Sequence, residues 1–142
     1  MLAQSFLMVL VLGLGPITAG TSSIPVARAA AWILFGLGAV LGIGGVAVLR
    51  NSRTIFPRPS EDCRLVQHGV YRWVRHPLYT SRMVLAAGWS LFWCSWPTGA
   101  LTLILAGFLN LKARHEESWL KARFPGYGMY CDRVKRFIPG VF

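Results

Sequence analysis

Acidic residues are nearly missing from this sequence: five Asp or Glu stand against fifteen Lys or Arg, and 14% of the 142 residues are charged. Leu2 to Ala19, Ala29 to Leu49 and Met83 to Leu111 hold no charge at all. That scarcity excludes an ordinary soluble surface, which needs charge on roughly a quarter of its residues. Cys63, Cys94 and Cys131 are odd in number and widely spaced, which argues against a disulfide framework and against cysteine metal-site spacing. His68, His76 and His115 are not spaced as ligands on one element, and no serine–histidine–aspartate arrangement or phosphate loop is present. The run "GLGAVLGIGG" fails as a dinucleotide loop, because no strand precedes it and no acidic residue follows at the required distance.

What remains is oil and cations. Hydrophobic residues make up 54% of the chain, whose length suits one domain. Each charge-free block is long enough to be a spanning candidate across roughly 30 Å of hydrocarbon. The first could serve as a secretory signal, but no Lys or Arg precedes its apolar run, so it is read as a retained helix. The third is interrupted at "SWPTG", which allows either one kinked helix or a hairpin. Charge decides between them. Seven Lys or Arg lie between Arg50 and Arg82 and seven more between Lys112 and Arg136, and a hairpin puts both groups on one face, leaving Arg28 outside.

The expected fold is therefore an all-α integral membrane protein with about four transmembrane helices, the last two paired as a hairpin from Pro77 to about Ser95 and from Thr98 to about Arg114. Both termini are expected to be cytoplasmic. Residues 1–50 would supply two N-terminal helices, and 51–142 a cytoplasmic loop, the hairpin, a further helix and a tail. The net charge of +10 is met by anionic headgroups beside the spans, so a bilayer and not nucleic acid is the expected partner. Gly38 and Gly42 form a small-xxx-small face for close helix approach.

Two constellations could carry chemistry. In "RWVRHPLY" the residue before a proline leaves the α region while proline suits a first helical turn, so His76 lies at or beside a helix N-cap with Arg75 just outside. The helix N-terminus, Arg75 and His76 together make a seat for a carboxylate or phosphate. Glu116 and Glu117 emerge from the returning helix on the same face, where an acidic pair needs partners. Glu116 could alternatively form an ordinary ion pair with Lys112 one turn away. Tyr71, Trp73, Tyr79 and Tyr127 would add aromatic walls, a combination that fits a zwitterionic cofactor carrying a ring system.

"LVQHGVYRWVRHPLY" at 65 to 79 and "EESWLKARFPGYGMYCDRVKRFIP" at 116 to 139 resemble the integral membrane methyltransferases typified by isoprenylcysteine carboxyl methyltransferase, with phospholipid N-methyltransferases as relatives. The resemblance covers about the last 80 residues and implies S-adenosylmethionine-dependent methyl transfer to a membrane-embedded or amphiphilic substrate. It implies that Cys63, Arg64, Leu65 and Val66 line the cofactor, largely through backbone. Gly69, Tyr71, Arg75, His76, Pro77, Leu78 and Tyr79 would complete its binding site together with Glu116 and Glu117. Glu116 and Lys112 would be the catalytic pair, and no metal is required. Lys112 stands where the isoprenylcysteine enzymes carry a substrate-binding arginine, and a lysine is a point charge and not a bidentate fork. Ser81 replaces a frequent glycine, and little of the chain lies outside the catalytic half. The competing functions are a nicotinamide-dependent membrane reductase and a non-catalytic lipid-binding module.

Overall fold

A computed structural model describes residues 2–20, 24–51 and 65–140; Cys63 and Arg64 lie outside them. The described chain is helical: α1 (Leu2–Ile17), α2 (Pro25–Asn51), a single 3₁₀ turn at Gly69–Arg72, α3 (Pro77–Phe92), α4 (Trp96–Arg123) and α5 (Tyr127–Arg133). Val74 and Lys135 form one isolated parallel bridge. Proline opens α2 and α3 at the position where a missing N–H is harmless. His76 is the residue preceding α3, in a non-helical conformation at φ −123°, ψ 63°.

The hairpin forms, with shifted boundaries. The turn is Trp93 to Ser95, with Cys94 in the left-handed region at φ 48°. The Ser95 side chain accepts from the Thr98 N–H at 3.3 Å, so it caps α4 two residues before the expected start, and Pro97 sits in the first turn. α4 then runs unbroken through Arg114 to Arg123, where Lys121 and Arg123 complement the negative end of the helix and Pro125 follows. Ser90 meets Thr102 near the turn and Tyr79 meets Glu116 at the open end, which makes α3 and α4 antiparallel. Lys112 reaches Gln4 of α1 while Ser95 reaches Thr18, so α1 runs antiparallel to α4 as well. The start of α3 and the end of α4 consequently share one end of the bundle with the start of α1.

Polarity is distributed inside out. Trp32, Ile33, Leu37, Val40 and Ile43 of α2 and Phe6 and Val9 of α1 are all more than half exposed. Ser90, Ser95, Thr98 and Thr102 are buried and bond to one another or to backbone carbonyls one turn back. An apolar exterior around an interior that combines these hydroxyls with Val11, Ala86, Leu105 and Leu109 suits lipid, where helices associate through close packing and satisfied hydrogen bonds. Among the described residues, one helix, Pro25–Arg50, is long and apolar enough to cross a membrane by length and composition; the apolar stretch of α1, Ala3–Ile17, is shorter.

Glycines bring α2 onto α3. A Cβ on Gly38 would lie 2.6 Å from Leu85 Cγ, and one on Gly45 would lie 2.9 Å from Leu78 Cδ2. Ser81 fits at this contact because it faces Gly42 and donates its hydroxyl to the Gly38 carbonyl at 2.7 Å. Gly36, on the outer face, has nothing within 4 Å of its Cβ position. Gly38→Leu should therefore destabilise the detergent-solubilised protein by about 1–3 kcal/mol through overpacking, while Gly36→Leu leaves the thermal midpoint in place. Equal effects of the two substitutions would show that α2 does not seat on α3 through this face.

Candidate functional site

The inward stripe of α4 consists of Thr98, Thr102, Leu105, Leu109, Ala113 and Glu117, a residue every three or four positions. The stripe ends in a carboxylate. Glu117 is 4% exposed, and a buried carboxylate is tolerated when paired and hydrogen-bonded. Its partners come from two segments, the stretch entering α3 and the tail after α5. Arg75 Nε donates to Oε1 at 3.0 Å, Arg136 Nε donates to the same oxygen at 3.0 Å, and Arg136 Nη2 donates to Oε2 at 2.6 Å. His76 Nε2 stands 3.1 Å from Oε1. Burial acts to raise the Glu117 carboxyl, but hydrogen bonds from His76 and Arg136 and the charges of both arginines hold it well below the usual carboxylate range.

The arginines carry the connection outward. Arg75 Nη1 donates to the Cys131 and Val134 carbonyls at 2.8 and 2.7 Å, and Arg136 Nη1 donates to Asn110 Oδ1 at 3.0 Å. Beside them the backbone N–H groups of Arg75 and His76 donate to the carbonyls of Lys135 and Arg136. The tail after α5 is thus laid along the segment that enters α3. Tyr130 adds its hydroxyl to the Tyr71 carbonyl at 2.6 Å and packs with Tyr127 and Val134 in a small apolar cluster.

Glu116, one residue earlier, points elsewhere. Its side chain is 41% exposed, and Oε1 accepts from the Tyr79 hydroxyl at 2.6 Å. Oε2 lies 4.0 Å from His76 Nδ1, and the His76 ring stacks on Tyr79 with centroids 5.3 Å apart. Lys112 does not pair with Glu116; its ammonium donates to Gln4 Oε1 at 2.9 Å and sits 5.3 Å from the Tyr79 ring centroid. Tyr71 is half-buried, and burial pushes its hydroxyl up to about 12, which keeps it a neutral donor at physiological pH.

The expected residues therefore divide. His76, Tyr79, Lys112 and Glu116 gather at one end of the hairpin, with Pro77 buried beneath and Leu78 turned toward Gly45 of α2. Leu65 packs against the cluster of Tyr127, Tyr130 and Val134, Val66 is half-buried, and Gly69 occupies a left-handed φ of 61°. Arg75 and Glu117 meet each other, so the anion facing Arg75 belongs to this chain. Arg136 and Gln4 were not foreseen. Arg136 lies in a tail without regular periodicity, and Gln4 is separated from its partner by 108 positions.

The model of the family described as "Phospholipid methyltransferase" matches residues 26–126, which carry nearly all of α2, all of α3 and α4, and Arg75, His76, Tyr79, Lys112, Glu116 and Glu117 of this constellation, with Arg136 and Gln4 outside the match. The chain belongs to that family. It is also 35% identical over 80 residues to proteins from Oryza sativa subsp. indica and Oryza sativa subsp. japonica, each named "Probable protein-S-isoprenylcysteine O-methyltransferase". That match covers 55% of this chain and 42% of each rice protein, so the chain aligns with less than half the length of these relatives.

Glu117→Gln would leave two arginines around a neutral amide, and breaking a buried charge cluster in this way costs about 3 kcal/mol. The pH dependence follows from the depressed carboxyl. Its contribution is complete above the unfolded value of roughly 4.3 and is lost as pH falls below that toward the folded value. Wild-type stability should decline on acidification through this range, and the Glu117→Gln variant should start lower and respond less. Parallel pH curves for the two proteins would show that the carboxylate is not the group holding the tail.

Proposed function

We propose that this chain transfers a methyl group from S-adenosylmethionine to a membrane-embedded or amphiphilic substrate at the cytoplasmic face of a membrane that it crosses four times, with both termini cytoplasmic. The observation that carries the proposal is the junction of Tyr79 and Glu116 in a chain of this family: two segments distant in sequence meet at 2.6 Å, and the carboxylate keeps substantial exposure. The clustering of cations at that end of the bundle supports its cytoplasmic placement.

The residues present fit the cofactor. Glu116 can accept from an ammonium or from ribose hydroxyls, and the Tyr79 hydroxyl orients it by a short charge-assisted bond. Tyr71 and Tyr79 offer aromatic surface, Leu65, Val66 and Gly69 would line the site, and His76, Pro77 and Leu78 pack behind it at the start of α3. Arg75 and Glu117 contribute from behind: their mutual pairing fixes the stretch that presents His76 and Pro77. S-adenosylmethionine supplies an activated methyl group together with its leaving group. The protein's share is alignment and exclusion of water, with Lys112 placed to meet a polar group on the substrate. A prenylated cysteine, as the names of the rice proteins suggest, and a phospholipid amine are both substrates of the required amphiphilic kind.

Titration calorimetry with S-adenosylhomocysteine tests the site. Glu116→Gln and Tyr79→Phe should each weaken binding by roughly tenfold or more, the scale of one hydrogen bond to a charged group. Binding of a reduced nicotinamide dinucleotide in its place would overturn the methyltransferase reading, and wild-type affinity in both variants would overturn the site.

A further inference from the structure

Lys112 and Glu116 are opposite charges one helical turn apart, the spacing at which an ion pair forms along a helix. They do not pair. The ammonium is drawn to α1, where Gln4 is 8% exposed and its amide oxygen accepts from Lys112 Nζ at 2.9 Å. The carboxylate is drawn to α3, where the Tyr79 hydroxyl donates at 2.6 Å. The Tyr79 ring also attracts the displaced ammonium, 5.3 Å from its centroid.

The energies favour this separation. Lys preceding Glu is the weaker order of the pair on an exposed helix. Against it stand a hydrogen bond from a charged donor to an amide fixed in a buried position and a cation–π contact, each at least as strong as such a helix pair. Without the amide, Glu116 is a carboxylate one helical turn away, at the spacing where an ion pair can form. Gln4 lies outside the segment that matches the family model, on a helix that bears no charged side chain.

We infer that Gln4 is a positioning residue: it holds Lys112 away from Glu116, so that the site keeps a carboxylate and an ammonium as two separate binding groups. A collapsed pair would present little net field to either end of a ligand. The separated pair takes a ligand or pair of ligands bearing both signs of charge, the cationic or hydroxylic part at Glu116 and the anionic part at Lys112. The functional consequence rests on the proposed methyltransferase site; the charge separation itself does not.

Zero-length carbodiimide coupling joins Lys112 to Glu116 only when ammonium and carboxylate can meet, and peptide mass spectrometry reads the product. In the purified full-length protein this link should be scarce, and Gln4→Leu should raise it several-fold. Gln4→Glu, which keeps an acceptor for Lys112, should not raise the 112–116 link and guards against misfolding of the apolar variant. Equal 112–116 coupling in wild type and Gln4→Leu overturns the inference.

A second readout uses S-adenosylhomocysteine binding. Gln4→Leu should weaken it by roughly tenfold, and Gln4→Glu, which keeps an acceptor for Lys112 and leaves the site residues intact, should retain it. A defect that Gln4→Glu shares would mark Gln4 as merely structural. Failure of the wild-type protein to bind would refute the cofactor assignment while leaving the coupling result to decide the role of Gln4.

Discussion

A carboxylate at the end of an apolar helix stripe has to be neutralised, and the way Glu117 meets that demand organises this end of the protein. Two arginines and a histidine converge on it from the segment entering α3 and from the C-terminal tail. Removing solvent from an ionised carboxylate costs several kcal/mol, and only good geometry with further satisfied donors recovers it. Here both arginines also donate to other groups, so the charges are held in place by backbone and side-chain acceptors as well as by each other. The result is a clamp. Segments around positions 75, 117 and 136 are fixed relative to one another without a large apolar core, which a chain with an apolar exterior could not readily provide.

The same logic explains the small residues and hydroxyls at the helix contacts elsewhere in the bundle. In lipid no hydrophobic force distinguishes the inside of a helix pair from its surroundings, so close approach and hydrogen bonding have to do the holding. Gly38, Gly42 and Gly45 let α2 lie against Ser81, Leu85 and Leu78, and the hydroxyl series at the turn joins α1, α3 and α4. This packing sets where α3 begins relative to α4. Without it, the 2.6 Å contact between Tyr79 and Glu116 would have no fixed frame.

Much of this was legible in the residues themselves. The hairpin followed from Pro77, the interruption near Trp96 and Pro97, and the two basic regions that a single helix would have separated. The convergence of "RHPLY" with the glutamate pair followed from that hairpin. Helix length was harder to read, because Pro97 looks like a break yet is tolerated in the first turn once Ser95 supplies the cap. Contacts set by tertiary packing carried no local signal. Arg136 sits among other cations in a tail of no fixed period, and Gln4 is one polar residue in an apolar helix whose partner lies far along the chain. The division of labour between the glutamates was in principle visible, since Leu105, Leu109, Ala113 and Glu117 recur every four residues, whereas Glu116 lies off that line.

That offset of one position gives the two glutamates different partners. Successive residues on an α-helix point about 100° apart, so the adjacent carboxylates face different groups, with His76 lying between them. Glu117 turns into the bundle and is consumed by arginines. Glu116 turns toward the start of α3 and meets a neutral phenol, which orients a carboxylate without cancelling its charge. A second neutral group, the amide of Gln4, does the same for the ammonium of Lys112. The helix thereby separates a structural anion, buried and fully paired, from a second anion that remains partly open. Were Glu116 to meet a guanidinium, or Lys112 a carboxylate, the open end of the hairpin would be another closed salt bridge. The use of neutral partners for charged groups leaves both charges uncancelled there.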